Sequence, residues 1–543
     1  MSEGESGFPP LVLAGMHRSG TSFLASQLAS LGVDMGSAFP DPDRNNRPGY
    51  FEDGRFLELN RRMLAAACPA DDGGHPDWGW TERGLCDGGG LEPFRDEARS
   101  LVLAAGRRET PWGWKDPRTT VLLDFWRSVV PQARFLLVYR TPWEVADSLQ
   151  RLGAPVFSGN PRFGERIWLA YNAALLSFHR ANRARSVLAS TNRLMESPDL
   201  LAGLVGDRLG LRLEKPASPP RREPDLFATW PAGDPIERLH ALAWPDATAL
   251  LGDLDAAADL PSLLQAPRAP RGRRLSSGAS AEPSVDTTIV TPVHDDGAFL
   301  VEALASAERT SEPGTELILV DDGSTEPFTV AFLSRLEDEG YRVIRQPNRG
   351  LSSARNTGIR NAHGRFLLTL DADNRIREGY LRRATRQLEA DPGLGVVYGD
   401  RYEFGLRTGT VPVPDFHYGA ILKANCIDAC AVFRKSVWLS AGGFDETLPA
   451  LEDWDFWLSA ADAGWRFHHL PATLFDYRVR PGGLSDWLHT GSRTEELTAR
   501  IQARHRGRWP WRLVPRGLRR RLFSTAGAAP WAAPSPPVRG AAS

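Results

Sequence analysis

The chain of 543 residues is too long for one ordinary domain, because domains commonly span about 100–200 residues. Its 65 basic and 67 acidic side chains give a formal charge of −2, which argues against a dedicated nucleic-acid binder, since such proteins carry a strongly basic domain. Apolar residues at 42% and charged residues at 24% are typical of a globular chain rather than a disordered one.

Cysteine usage and the N-terminal sequence indicate the compartment. Four cysteines are too few to hold a chain of this length together by disulfides, and Cys426 and Cys430 lack a second ligand pair at zinc spacing, so we expect buried thiols. The start of the chain is acidic, which predicts no signal peptide, and no apolar run approaches the ~18 residues that a spanning helix needs. These features predict a cytoplasmic protein.

Two α/β units are predicted, because strand-like runs alternate with helical patterns in both halves of the chain. This alternation favours mostly parallel sheets with ligands at the carboxyl ends of the strands. A segment rich in Pro, Gly, Ser and Arg separates the units and is typical of a flexible connector. We predict a first domain over 1–265, a flexible linker over 266–286, a second domain over 287–490 and a basic, partly disordered tail over 491–543.

The tail contains arginines interleaved with Trp, Leu and Phe between Trp509 and Phe523. This composition is compatible with peripheral contact with an anionic membrane surface at the inner face of the membrane. A solvated basic terminus in an arginine-rich protein is the simpler interpretation.

The first unit begins with a candidate phosphate loop. After the strand-like run Leu11–Ala14, a turn of small residues leads into a helix, and backbone N–H groups at a helix N-terminus favour a phosphate. The candidate ligands are Arg18, Ser19, Gly20, Thr21 and Ser22. The loop lacks the lysine that follows the glycine of a Walker A motif, so an ATP-dependent kinase is the weaker interpretation.

A second phosphate site is predicted further along the first unit. The run Phe135–Tyr139 leads into Arg140, and Ser148 follows within a helical stretch. With these motifs the unit resembles bacterial sulfotransferases that use 3′-phosphoadenosine 5′-phosphosulfate (PAPS). The resemblance implies a P-loop-like α/β fold in which the Arg18–Ser22 loop binds the 5′-phosphosulfate, and Arg140 with Ser148 binds the 3′-phosphate.

Two further runs, Gly49–Asp53 and Trp112–Arg118, also resemble the bacterial sulfotransferases. Sulfuryl transfer requires a base for the acceptor hydroxyl and positive charge over the leaving phosphate, and it requires no metal. Glu52 is the candidate base, with His17 as a competitor. The candidate charge stabilisers are Lys115, Arg18 and Arg118.

The second unit has polar residues after a predicted strand and in a later predicted helix. One strand-like run ends in Asp321 and Asp322, whose carboxylates are suited to a base N–H or a ribose hydroxyl. A later helix carries Arg355 and Asn356, which we expect to contact the nucleotide. These residues predict a nucleotide site at the edge of the second sheet.

The strongest local signal is the pair Asp371 and Asp373, which follows an apolar strand. Strand alternation would send both carboxylates to the same side. Two carboxylates that face a nucleotide diphosphate are suited to Mg²⁺ or Mn²⁺, because the ion bridges protein and phosphate oxygens. The metal would stabilise the leaving diphosphate as a Lewis acid.

A candidate base follows in the acidic run that begins at Glu452. We expect Asp453 to deprotonate an acceptor hydroxyl, with Glu452 as the second choice, although an acidic first turn is also stabilised by the helix dipole alone.

From Thr288 to about Arg480, the order of these motifs resembles an inverting family 2 glycosyltransferase of the GT-A fold. The resemblance implies that Asp321 and Asp322 bind base or ribose, that Asp371 and Asp373 bind ribose and metal, and that Asp453 is the base. Arg480 departs from the family pattern, because a histidine is common at its position. We expect Arg480 to meet the diphosphate instead.

The sequence therefore predicts a bifunctional transferase in glycan, polysaccharide or glycolipid biosynthesis. One half would transfer a sugar from a nucleotide-diphosphate sugar, and the other would transfer sulfate from PAPS to a hydroxyl. Two alternatives stay open: a glycosyltransferase whose N-terminal unit only binds an acceptor or nucleotide, and a nucleotide kinase fused to the transferase.

Overall fold

A computed structural model of the chain describes most of both units. The described residues are 8–37, 39, 49–67, 74–75, 80–81, 84–85, 90–106, 110–152, 154–211, 213, 230–231, 233–262, 285–483 and 492–506. The predicted linker lies almost wholly outside these residues, and so do the basic run from Trp509 to Phe523 and two of the four cysteines.

The first unit is an α/β domain. Its strands are β1 (Leu11–Ala14), β2 (Gly74–His75), β3 (Trp80–Thr81), β4 (Gly84–Leu85), β5 (Gly113–Lys115), β6 (Arg134–Tyr139) and β7 (Ser186–Ser190). Its helices are α1 (Thr21–Ser30), α2 (Gly54–Ala67), α3 (Arg95–Ala105), α4 (Leu123–Val129), α5 (Pro142–Leu152), α6 (Pro155–Gly159), α7 (Pro161–Ala181), α8 (Thr191–Leu194), α9 (Pro198–Leu209), α10 (Pro235–Ala243) and α11 (Pro245–Ala257). Two 3₁₀ helices span Glu92–Phe94 and Pro117–Leu122.

The main sheet of the first unit has the strand order β5-β1-β6-β7, and all its pairings are parallel. This confirms the predicted parallel α/β architecture. All four residues of β1 are buried, as expected of a central parallel strand covered on both faces. Because parallel strands end at the same edge, the segments that follow β1, β5 and β6 lie together. The short strands β2, β3 and β4 form a separate antiparallel sheet.

The second unit contains a larger sheet. Its strands are β8 (Thr287–Val293), β9 (Thr315–Asp322), β10 (Arg342–Gln346), β11 (Phe366–Thr369), β12 (Arg375–Ile376), β13 (Leu394–Gly405), β14 (Gly409–Val411), β15 (Val432–Arg434) and β16 (Arg466–Val479). Its helices are α12 (Gly297–Thr310), α13 (Pro327–Asp338), α14 (Leu351–Asn361), α15 (Tyr380–Ala390), α16 (Tyr418–Ile421), α17 (Lys435–Ala441), α18 (Glu452–Asp462) and α19 (Ser492–His505).

The second sheet is mixed, which corrects the prediction of a mostly parallel sheet. Its order is β10-β9-β8-β11-β15-β13-β16-β12, with β14 paired to β13. Strands β10, β9, β8 and β11 are parallel, whereas β15 is antiparallel to both of its neighbours. The predicted alternation of strands with helices, which produces parallel pairing, is found only from β8 to β11. The carboxyl ends of β8, β9 and β11 therefore share one edge of the sheet, as the motifs require.

The two units pack directly against each other. Helix α10 packs against α12 and α13, and α5 lies against β13. Buried side chains of both units belong to one apolar cluster, in which Leu239 of α10 lies with Leu304 of α12 and Leu336 of α13. Arg309 adds an ion pair across the interface at 2.7 Å from Asp234. The units are therefore joined by a shared core and not only by the predicted linker.

The beginning of the predicted tail belongs to the second unit. Residues 492–505 form α19, which packs against α18 through Leu497 and Ile501. Helix α19 ends at His505, which is fully buried between Asp455 and Asp462. Across the described ranges, no helix has the length and apolarity needed to cross a membrane.

Candidate functional site

The first candidate site lies at the carboxyl edge of the N-terminal sheet. The loop after β1 enters α1 through Gly20, whose φ of 83° is in the left-handed region that glycine adopts without strain. The N-cap residue of α1 is Gly20, which has no side chain to cap the helix, and the first turn of α1 contains no acidic residue. The helix dipole makes such an end favourable for an anion, which fits the predicted phosphate loop.

Lys115 joins three sequence motifs at this edge. Its Nζ donates to Glu52 Oε1 at 2.6 Å, to Ser22 Oγ at 3.1 Å and to the carbonyl oxygen of Tyr50 at 3.2 Å. The side chains of Lys115 and Glu52 are only 1% and 9% exposed, so the ion pair is shielded from water. The structure thus places the predicted base beside the predicted charge stabiliser and the phosphate loop.

Arg118 and Asp116 complete this cluster. Arg118 Nη1 lies 3.8 Å from Glu52 Oε2 and 3.1 Å from Asp116 Oδ1. Asp116 also accepts from Asn60 Nδ2 at 2.8 Å. Among the described side chains, the neighbours Lys115 and Asp116 thus pair with other residues, Lys115 with Glu52 and Asp116 with Arg118.

The two predicted phosphate motifs meet at Arg18 and Ser148. Arg18 Nε donates to Ser148 Oγ at 2.9 Å, which joins the loop after β1 to α5. Ser19 is buried, Thr21 begins α1, and His17 is buried with its ring edge-on to Tyr171.

Arg140 lies deeper than expected for a phosphate ligand. It is 1% exposed and its Nε donates to Glu144 Oε2 at 3.2 Å. Burial lowers the pKa of the Arg140 guanidinium despite the neighbouring carboxylate. Binding of a phosphate by Arg140 stays a prediction, and it requires the anion to compete with Glu144.

The second candidate site lies where β8, β9 and β11 end. Asp322, at the end of β9, accepts from the backbone N–H groups of Arg349 and Gly350 at 2.9 and 2.8 Å, and from Gln346 Nε2 at 2.8 Å. These bonds fix the loop that enters α14. Asp321 accepts from the Ser324 N–H at 2.9 Å. Nucleotide binding by the two aspartates stays a prediction, and Asp322 also has a positioning role.

Arg355 of α14 connects the aspartate motif to the acidic helix. Its Nη2 donates to Asp371 Oδ1 at 2.7 Å, and its Nη1 contacts the carboxylate of Glu452. The side chain is 2% exposed. Arg355 therefore holds the segment after β11 next to the start of α18, where the sequence places the candidate base Asp453.

Asp371 and Asp373 lie in a turn, because β11 ends at Thr369. The strand-alternation argument for their orientation is therefore wrong, since it applies only to extended residues. The two carboxylates pair with different arginines: Asp371 with Arg355, and Asp373 Oδ2 with Arg480 Nε at 2.8 Å.

Arg480 directly follows β16 and lies beside two carboxylates. Besides Asp373, it donates to Asp296 Oδ2 at 2.7 Å. Burial and the nearby Asp373 carboxylate raise the pKa of Asp296 to about 6, although Arg480 opposes this shift. A contact of Arg480 with a diphosphate stays a prediction, and in this structure its guanidinium is held by carboxylates.

Asp453 has the electrostatics of a base. Burial raises its pKa to about 8, and the negative charges of Glu452 and Asp428 add to the shift. Asn425 Nδ2 donates to Asp453 Oδ2 at 3.0 Å and orients the carboxyl group. A carboxylate with a raised pKa binds a proton more readily near neutral pH, which suits proton abstraction from a hydroxyl.

The side chain of Asn356, a predicted nucleotide contact, is hydrogen-bonded to the protein. Its side-chain Nδ2 donates to the Phe444 carbonyl and to Glu446, and its Oδ1 accepts from Trp438 Nε1 and the Phe444 N–H, each at 2.9 Å. An amide has two donors and two lone pairs, so its capacity is filled by protein. Asn356 therefore holds the Gly442–Phe444 loop in place, and its contact with a nucleotide stays a prediction that requires one of these bonds to be exchanged.

Sequence reasoning missed three residues of this site. Asp296 follows β8, so its position at a strand's carboxyl end was a usable signal. Asp428 and Asn425 come from the segment between α16 and β15, and no local pattern distinguishes them. Cys430 in the same segment is a buried thiol, as predicted, and Cys426 is half-buried.

The carboxylates of Asp371 and Asp373 are suited to a divalent cation whose remaining coordination positions a diphosphate would fill. Within the described ranges, no group of three or more His, Cys, Asp or Glu is arranged as a metal site. Asp371 and Asp373 each use one oxygen for an arginine, which leaves a second oxygen on each carboxylate. Mg²⁺ commonly takes only one or two carboxylates together with substrate phosphates and water, so the residues present fit such an ion.

Comparison with known proteins identifies the second unit. Residues 288–437 match the model of the family described as glycosyl transferase family 2. The chain is 28% identical over 234 residues to the uncharacterized glycosyltransferase EpsJ of Bacillus subtilis (strain 168), a match that covers 40% of this chain and 68% of that protein. It is 28% identical over 236 residues to the succinoglycan biosynthesis protein ExoO of Rhizobium meliloti (strain 1021), covering 40% and 66%.

Other matches are partial as well. The uncharacterized protein y4gI of Sinorhizobium fredii is 27% identical over 237 residues, and the match spans only 26% of its length. A crystal structure of residues 1–349 of S. aureus TarS in complex with UDP-GlcNAc matches with 20% identity and a TM-score of 0.35, covering 40% of this chain and 66% of that one. The family match and the glycosyltransferase relatives show that the C-terminal region of this chain contains a glycosyltransferase family 2 domain.

Proposed function

We propose that the C-terminal domain transfers a sugar from a nucleoside-diphosphate sugar to a hydroxyl of a glycan or polysaccharide, with inversion at the anomeric carbon. The observation that carries this proposal is the Arg355 bridge between Asp371 and Glu452. It brings Asp371, which is suited to a donor diphosphate, next to the start of α18, where Asp453 is suited to activate an acceptor.

The chemistry follows from these positions. Asp453 takes the proton of the acceptor hydroxyl as its oxygen attacks the anomeric carbon, and the bond from that carbon to the diphosphate oxygen breaks. Asp371 and Asp373 would hold Mg²⁺ or Mn²⁺, which supplies positive charge for the leaving diphosphate. Arg355 pairs with Asp371 and Glu452 and so offsets the negative charge of these carboxylates beside Asp453.

A binding and turnover experiment tests this proposal. Full-length protein is titrated with UDP, GDP and dTDP in the presence of Mn²⁺, and release of nucleoside diphosphate from the matching sugar donors is then measured. We expect Asp453→Asn to keep diphosphate binding and to slow turnover by about 10²–10⁴-fold, the range for loss of a general base. Unchanged turnover in Asp453→Asn would remove it from the mechanism.

For the N-terminal unit, we propose sulfuryl transfer from PAPS to a hydroxyl. The observation that favours it is the contact of Lys115 with both Glu52 and Ser22, since Ser22 lies in the first turn of α1, where the helix dipole favours an anion. In the step, Glu52 takes the acceptor proton, the hydroxyl oxygen attacks sulfur, and the bond from sulfur to the phosphate oxygen breaks. Lys115 and Arg118 would supply positive charge for the leaving phosphate, and their contacts with Glu52 support this role.

Binding of adenosine 3′,5′-bisphosphate tests this second activity. We expect the nucleotide to raise the melting temperature of the full-length protein, and Lys115→Met to weaken its binding by about tenfold, because a charge-assisted contact to phosphate is lost. Lys423→Met is the control, since Lys423 lies in the other unit. Binding without sulfate transfer would favour the non-catalytic binding module, and binding of Mg²⁺–ATP instead would favour the kinase.

Two variants distinguish between Glu52 and His17 as the base for sulfate transfer. Glu52→Gln and His17→Gln both preserve size and remove a proton acceptor. We expect only Glu52→Gln to abolish sulfate transfer at unchanged nucleotide affinity, because Glu52 contacts Lys115 whereas His17 packs against Tyr171.

A further inference from the structure

Helix α5 of the N-terminal unit lies between the two candidate sites. Ser148 accepts from Arg18 at 2.9 Å in its own unit, and Gln150 Oε1 accepts from Arg478 Nη1 of the other unit at 2.9 Å. Two residues turn an α-helix by about 200°, so these side chains leave opposite sides of α5. Both are buried, at 2% and 4% exposure.

Arg478, on β16, holds the turn that carries Asp373. Its backbone N–H donates to Asn374 Oδ1 at 3.0 Å, and its Nε donates to the carbonyl oxygen of Asp373 at 3.0 Å. Its Nη2 donates to Glu302 Oε2 at 2.7 Å. The guanidinium is therefore fixed by one acceptor from the turn, one from α12 and one from the N-terminal unit.

Gln150 is suited to hold this arginine in place. Its Nε2 donates to the carbonyl oxygen of Phe157 at 2.9 Å, which fixes the amide orientation and directs Oε1 to Arg478. The rotation of a buried guanidinium is limited by its acceptors, because a lost partner leaves a charged N–H group unsatisfied. Without Gln150, one of the three directions that fix Arg478 is lost.

We propose that Gln150 is a positioning residue for the glycosyl-donor site, and that the N-terminal unit thereby forms part of that site. Gln150 acts through Arg478 on the turn that presents Asp373. The inference rests on the proposed function of the C-terminal domain, since it assigns Asp373 to the cation that accompanies the donor diphosphate. The family 2 domain then depends on α5 for its full affinity for the cation.

Two Gln150 variants distinguish the loss of the hydrogen bond to Arg478 from a loss of side-chain packing. Gln150→Met keeps the volume and removes the acceptor for Arg478. Gln150→Glu loses the donor to Phe157 but keeps the contact with Arg478, because either oxygen of a carboxylate can accept and no amide orientation is then needed. A third variant, Arg162→Gln, is the matched control, because Arg162 makes a different ion pair between the units, at 2.5 Å from Glu326, and that pair does not contact the turn.

The experiment measures Mn²⁺ binding to the full-length protein by electron paramagnetic resonance, with saturating UDP, GDP or dTDP. We expect Gln150→Met to weaken Mn²⁺ binding by about tenfold, the lower end for loss of an outer-sphere partner. Gln150→Glu and Arg162→Gln should stay within about twofold of the wild type, and metal-free nucleotide affinity should be unchanged in all three. If Gln150→Met does not fold, Gln150→Ala takes its place with the same expectation.

The outcomes distinguish this inference from the proposed function. If the wild type binds Mn²⁺ with none of the three diphosphates, the proposed donor site and the inference both fall. If the wild type binds and Gln150→Met binds equally well, only the inference is overturned. Equal weakening in Gln150→Met and Arg162→Gln also overturns it, because the effect would then come from the interface in general.

Discussion

The Arg355 bridge makes a quantitative prediction about stability. The substitution Arg355→Met keeps an unbranched side chain and removes the cation that lies between Asp371 and Glu452. The arginine is 2% exposed and the Glu452 side chain 5%, whereas Asp371 is 28% exposed. The variant therefore leaves one carboxylate buried and unpaired and a second one partly hydrated.

The expected cost follows from the burial of these groups. Removing one partner of a buried ion pair costs about 3–5 kcal/mol, since the remaining charge is left uncompensated. Because water reaches Asp371, we expect the lower end, about 3 kcal/mol of unfolding free energy. The double variant Arg355→Met/Glu452→Gln should recover about 1–2 kcal/mol, because it removes the more deeply buried of the two unpaired charges.

Hydrogen exchange of peptides from α14 and α18 measures this cost locally, which avoids assuming that the whole two-unit chain unfolds in one step. Arg360→Met is the control: Arg360 is on the same helix, is 52% exposed and lies 3.9 Å from Glu446. We expect the control to change stability by less than about 1 kcal/mol, as is usual for exposed ion pairs. A loss in Arg355→Met no larger than in the control would refute the reasoning.

Two further predictions concern pH. Because burial and neighbouring carboxylates raise the pKa of Asp453 to about 8, sugar transfer should rise with pH until Asp453 is deprotonated, and Asp428→Asn should move the midpoint of the rate profile to lower pH. A profile with an unchanged midpoint in Asp428→Asn would contradict the assigned electrostatics. For His505, burial opposes protonation, but Asp455 and Asp462 outweigh it and raise the pKa above 6.5. The stability that His505 adds is therefore complete below about pH 6.5 and is lost as pH rises through the folded-state value, so His505→Gln should destabilise α19 more at pH 6 than at pH 9 by hydrogen exchange.

Several structural features followed from local sequence. The strands β1, β6, β9 and β11 are short, apolar runs bounded by polar residues, and burial on both faces of a sheet requires that pattern. The motifs at their ends were therefore correctly placed at sheet edges. The family 2 domain was also evident from its motifs, and the family match confirms it.

Other features depend on contacts between distant residues. Asn356 follows Arg355 directly in a polar helix start, yet the structure fills its hydrogen-bonding capacity with residues about 80–90 positions away. The orientation of Asp371 and Asp373 was likewise inferred from strand alternation, although the strand ends before them.

The sequence by itself determined where the central strands β1, β6, β9 and β11 form and which ionisable residues follow them, because hydrophobic periodicity and turn residues act over a few positions. Tertiary structure alone decided that Lys115 meets Glu52, that Arg355 joins Asp371 to Glu452, and that Gln150 reaches Arg478. These contacts join different elements of the fold, separated by 16 to 328 residues in the chain, and buried charges and amides have to find partners that local sequence does not specify.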